Sequence, residues 1–220
     1  DAKFSEVLSK NSKINWLSFA RLFLFGARDV WFVVGIPIYF YAVLSDGSEA
    51  GNQRAFFMIG SFMAVWTILY GFVQGSAPRI LKAKSKSEQD LLWQARLWAA
   101  MLVSVPLVLA VSVYLSAGPS HGLTAAVILG LLAFGGVFAV NSSLHSYLIL
   151  SFSDAKRVTM DVGFYYMANA AGRLTGTVLS GLTYQVGGLP LCLATAAIMV
   201  AISYWGVGRI SHGGHQKSIA

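Results

Sequence analysis

Apolar residues run along this chain in long blocks broken by short polar links, and the blocks lack the regular two-faced alternation of a water-soluble helix or strand. Six blocks stand out, at roughly 16–44, 55–75, 91–117, 123–151, 162–186 and 189–208. Each is long enough to cross a bilayer as a helix, for which about 20 residues are needed. The links between them, "SDGSEAGNQR", "SAPRILKAKSKSEQD", "AGPSHG", "SDAKRVTMD" and the tight "VGGLP", are rich in turn and charged residues and too short for a soluble domain. The pattern predicts an all-α polytopic membrane protein with six transmembrane helices. Residues 1–15 form a leading segment, 16–208 the helical bundle and 209–220 a tail.

Composition supports that pattern. Of 220 residues 56% are hydrophobic and 11% charged, against about 25% charged in an ordinary soluble domain. A net charge of +7 raises the question of nucleic acid, but the basic residues lie in the links and not on one amphipathic face, so no nucleic-acid partner is expected. They act as topology signals instead. Lys3, Lys10, Lys13, Arg79, Lys82, Lys84, Lys86, Lys156, Arg157, Arg209 and Lys217 collect on one side and only Arg54 on the other, which puts both ends of the chain in the cytoplasm. The lone cysteine, Cys192, reads as a small buried hydrophobe. The chain opens on Asp1 without a signal peptide, which suggests a piece of a longer protein.

A charge near the bilayer centre costs about 2.5–3.5 kcal/mol, so intramembrane polar residues map the bundle interior or a wet cavity. The first block carries Arg21, Arg28 and Asp29, the fourth Asn141, Ser142, Ser143 and His145, and the fifth Asn169 and Arg173. The second is intermediate, with Ser61, Trp66, Thr67, Tyr70 and Gln74; the third and sixth are poorer. In "MANAAGRLTGTVLSG", Ala168, Gly172, Gly176 and Ser180 recur every fourth residue, a small-residue stripe that admits a neighbouring helix closely. Asn169, Arg173 and Thr177 form a second stripe about 100° round. Arg21, near the cytoplasmic end, and Arg96 are expected to snorkel. Arg28 lies too deep for that; its immediate neighbour Asp29 could be a salt partner, but the two diverge by about 100°, so a cavity reached by both, or separate partners on other helices, is the favoured expectation. Asp29 is either a structural counter-ion or a proton-coupling carboxylate. Gly35 and Pro37 should kink the first helix, and Pro106 the third. Asn141 and His145 share a face at i,i+4. The tail histidines, His212 and His215, are incidental. No HExxH, Walker, GxSxG or dinucleotide motif occurs, so no enzyme activity, cofactor or metal is expected.

Six helices with polar residues concentrated on the first, second, fourth and fifth resemble the C-terminal half of a major facilitator superfamily transporter. In such a transporter two six-helix halves enclose a central substrate site. The runs "FARLFLFGARDVWFVVGIPIYFY", "GFVQGSAPRIL", "NSSLHSYLIL" and "DVGFYYMANAAGRLTGTVLSGL" resemble the organoarsenical efflux permeases of bacterial arsenic-resistance operons. The basic link lacks the aspartate usual in the superfamily. The resemblance implies efflux of 1-arseno-3-phosphoglycerate across the bacterial inner membrane, conferring arsenate resistance. It also implies an N-terminal six-helix half as partner and a functional link to a glyceraldehyde-3-phosphate dehydrogenase. For so anionic a substrate Arg28 and Arg173 are the expected ligands, since a guanidinium fork suits tetrahedral oxyanions. Asn141, His145, Asn169, Tyr165 and Tyr166 are candidate hydrogen-bonding neighbours. A major facilitator exporter of another small anion or a drug, and a six-span homo-oligomeric channel, are the alternatives.

Overall fold

The computed structural model describes residues 9, 11–118 and 120–210. Lys3, Lys10, His212, His215 and Lys217, with most of the leading segment and tail, lie outside the described residues. The described chain is helical, with no strand among its residues. In order come α1 (Ser12–Phe32), α2 (Gly35–Leu44), α3 (Glu49–Ile80), α4 (Glu88–Leu115), α5 (His121–Phe152) and α6 (Val158–Ile210). Five stretches are long and apolar enough to cross a membrane: Ser12–Leu44, Glu49–Ser85, Glu88–Leu115, His121–Phe152 and Val158–Ile210.

The polar links supply the caps that start these helices. Ser48 and Ser120 accept from the backbone N–H groups of Gly51 and Leu123, and Ser87 closes a capping box with Asp90. Because serines rather than the edges of the apolar blocks set the starts, α3, α4 and α5 each begin before the corresponding block. The SAPRI stretch belongs to the last turn of α3.

Between α1 and α2 the helix breaks where Gly35 and Pro37 are expected to disturb it. Pro37 has no N–H to give to the Val33 carbonyl. The Val34 and Gly35 N–H groups turn to Ser180 Oγ on α6, at 3.3 and 3.2 Å. By contrast, α4 continues as helix through Pro106.

The last helix is interrupted at Gly187 and Gly188. Gly188 has φ 63° and ψ −159°, a backbone region open essentially to glycine alone. Pro190 opens the limb that follows. The limbs, 158–186 and 189–210, both lie against α1. Along the first limb Gly172 meets Leu22, Gly176 meets Gly26 and Ser180 meets Gly35, so it runs parallel to α1. Along the second, Cys192 meets Gly35, Met199 meets Gly26 and Ser203 Oγ donates to the Ala20 carbonyl at 2.7 Å, so it runs antiparallel. The limbs therefore fold back on each other. Arg209 ends 5.6 Å from the Trp16 ring, which places the start of α1 and the finish of α6 at one end of the bundle.

The small-residue stripe lies buried at the α1 contact. A methyl group on Gly176 would come within 2.5 Å of the Gly26 carbonyl, and one on Gly172 would strike the Leu22 backbone. Around this axis α3 packs on α5, whose Leu131 carbonyl accepts from Trp66 Nε1 at 2.9 Å. On the other flank α4 packs on α5 and on the second limb of α6. Trp31, Trp66, Phe134 and Phe138 fill the centre. The outer faces carry a coat of large apolar side chains, among them Phe56, Ile68, Phe72, Leu115, Leu174 and Val186, which suits hydrocarbon and not water.

Candidate functional site

In the last turn of α1, and near the middle of the apolar stretch Ser12–Leu44, Asp29 forms the centre of a charge cluster. Its side chain is 2% exposed. Oδ1 accepts from Arg28 Nε at 2.6 Å, with Arg28 Nη2 also 2.6 Å away. Oδ2 accepts from Arg173 Nε at 3.1 Å. Of the alternatives for Asp29, the direct pair with its neighbour forms, and a partner on another helix, Arg173, joins it. The long Arg28 side chain doubles back so that its guanidinium lies 5.0 Å from the Phe25 ring and 5.6 Å from Phe138, and from there its fork reaches Asp29. Two cations surround one carboxylate, so the cluster keeps a positive surplus. The two arginines differ in access: the Arg28 side chain is 12% exposed and that of Arg173 58%. Arg173 thus offers the rest of its fork to the surface of the bundle.

A second cationic site lies two helical turns nearer the start of α1. Arg21 is only 3% exposed, which corrects the expectation that it snorkels. Its Nε donates to Asn169 Oδ1 at 3.0 Å, and Nη1 to the carbonyl and hydroxyl oxygens of Ser142, both at 3.0 Å. The guanidinium lies 3.9 Å from the Phe25 ring and 4.8 Å from Tyr165. Neutral acceptors and ring faces hold the charge, and no ion pair to Arg21 occurs among the described residues. Phe25 stands between the two sites, with one arginine against it from each.

The sequence candidates therefore divide into groups. Arg28, Asp29 and Arg173 come together. Asn169, one turn before Arg173, serves Arg21 instead, together with Tyr165. Tyr166 is exposed. Asn141 and His145 are fully buried on α5, and neither amide atom of Asn141 nor either ring nitrogen of His145 has a hydrogen-bond partner among the described residues. They line no opening to the surface. On α3, Trp66 stacks on Tyr70 at 5.6 Å and belongs to the aromatic packing. Sequence reasoning missed two working residues. Ser142 had been noted only as part of a polar run, and Ser180 only as a member of the small-residue stripe, although a hydroxyl facing a proline break is a ready acceptor for the freed N–H groups.

Among the described residues no group of three or more His, Cys, Asp and Glu is arranged to hold a metal ion. A recess of about 370 Å³ at the end of the bundle is lined by Ser9, Asn11, Phe152, Asp154, Arg157 and Asp161, and shares no residue with either arginine site. There Ser9 Oγ donates to Asp161 Oδ1 at 2.9 Å, tying the chain before α1 to the start of α6. No family model matches the chain, and no curated protein or solved structure proves similar to it.

Proposed function

We propose that this chain is the six-span C-terminal half of a major-facilitator-type exporter in the bacterial inner membrane, with both ends cytoplasmic. The fold-back at Gly187–Gly188 supports six crossings, because the last apolar stretch then traverses twice and returns to the end where α1 starts. The pairing of α4 with the second limb of α6 supports the two-sided arrangement, with polar helices toward the partner half and bland ones outside.

The substrate is a small organic oxyanion, and the resemblance in sequence names 1-arseno-3-phosphoglycerate. One observation carries this reading: a half-exposed Arg173 guanidinium at the surface of an apolar bundle, midway along the first limb of α6 and held there by buried Asp29, in a cluster with more positive than negative charge. Such a group in hydrocarbon would be costly, and it is well placed beside a wet vestibule through which an anion passes. Asp29 acts as the counter-ion that positions both forks. Replacing Arg173 by Gln in the whole transporter should abolish most arsenate resistance while leaving membrane insertion, read by surface labelling, unchanged. Full resistance in that variant would remove Arg173 from the transport path.

A further inference from the structure

A third arginine site lies on the opposite flank of the bundle. Arg96 sits eight residues beyond the first residue of α4, where α4 meets the second limb of α6. Its Nη2 donates to Tyr204 Oη at 2.9 Å and its Cζ lies 4.8 Å from the Tyr204 ring. Gly208, one turn on, lies against the guanidinium: a methyl group there would meet Cζ and Nε at 3.5 Å, in ordinary contact. Nε is buried without a hydrogen-bond acceptor among the described residues. Beside it opens a groove of about 240 Å³ lined by Trp93, Arg96, Leu97, Ala100 and Tyr204. Round the same limb Arg209 lies 5.6 Å from the rings of both Trp16 and Trp205. The carboxylates that open α4 are occupied elsewhere, Glu88 by Lys13 and Asp90 by Ser87. No ion pair to Arg96 or Arg209 occurs among the described residues.

Depth decides what meets this groove. The 28 residues of α4 span about 42 Å at 1.5 Å per residue, close to the ~40–45 Å of a bilayer with its headgroups. Arg96 is therefore about 12 Å from the start of α4, and helical side chains lean toward the N-terminus, so its guanidinium reaches back to the headgroup layer. Exposed Trp93 and Trp205 are the ring types that settle at that level.

We infer that the groove between α4 and the second limb of α6 binds the phosphate diester of an anionic phospholipid headgroup, with Arg96 as the cation, Tyr204 holding it in place and Trp93 packing on the lipid. Basic pockets between membrane helices recognise such headgroups, and here the supply of donors exceeds the acceptors that the protein provides. The inference rests on membrane insertion alone and is independent of what is transported.

The test is thermal unfolding of the purified full-length protein in detergent, titrated with phosphatidylglycerol, phosphatidylcholine or inorganic phosphate. Phosphatidylglycerol should raise Tm by several degrees beyond phosphatidylcholine, and inorganic phosphate should not. Arg96→Gln should raise the half-saturating phosphatidylglycerol concentration about tenfold or more, whereas Lys156→Gln, at an exposed basic position, should not. Equal responses to the two lipids, an unchanged response in Arg96→Gln, or the same stabilisation by free phosphate would overturn the site. Should Arg96→Gln fail to fold, quenching of tryptophan fluorescence by brominated lipids decides: stronger quenching by the glycerol lipid, lost in Trp93→Phe, supports the site, and equal quenching refutes it.

Discussion

Arg21 and Arg28 share one face of α1, seven residues apart, and touch the same phenylalanine, yet the bundle treats them in opposite ways. Arg28 and Arg173 share a buried carboxylate that neutralises them in part, and through Arg173 the cluster reaches the surface. Arg21 is enclosed and, among the described residues, held by an amide oxygen, a hydroxyl, a carbonyl and two rings. The difference teaches that an intramembrane cation does not by itself mark a ligand site. A guanidinium satisfied on every side can serve as a cross-brace among α1, α5 and α6, whereas one with a spare fork and an open flank has capacity for an incoming anion.

Stability measurements can break this distinction. The largest effect is expected for Asp29→Ala, which leaves two guanidinium groups without their counter-charge; loss of one partner from a buried pair costs about 3–5 kcal/mol. Thermal unfolding in detergent should show that variant as the least stable. Arg21→Ala should come next, at about 1–3 kcal/mol, because Asn169 and Ser142 lose their donor inside the bundle. A loss at Arg21 exceeding that at Asp29 would reverse the ranking of the two sites. Smallest is Arg173→Gln, below about 1 kcal/mol, since its exposed side chain is screened by water. That variant should therefore keep its Tm while losing transport, and a large drop in Tm would instead make Arg173 a brace like Arg21.

Much of the helical layout is legible in the sequence, since long apolar blocks and short polar links leave little choice of fold class in a membrane. The stripe from Ala168 to Ser180 also announces a close contact, because spacing alone places small residues on one face. Side-chain conformation is less legible. Arg28 bends back against Phe25 to reach its own neighbour, with Phe138 of another helix 5.6 Å from its guanidinium, an arrangement that spacing along one helix does not reveal. The burial of Arg21 depends on neutral acceptors from α5 and α6, which carry no charge signal to pair with it in advance. Helix starts differ from the apolar edges for a simpler reason: the capping serines lie beyond those edges, and a helix extends to where its first backbone donors are met.

The Gly187–Gly188 corner also constrains how the chain can be made. If the last apolar stretch crosses twice, as proposed, two apolar rods joined without a spacer leave no hydrophilic segment to pause on the far side of a membrane, so the limb bearing Arg173 should enter lipid together with the limb that follows it. On that proposal this region would insert as a hairpin unit, and a polar insertion at the corner would burden that concerted step more than it would the finished fold.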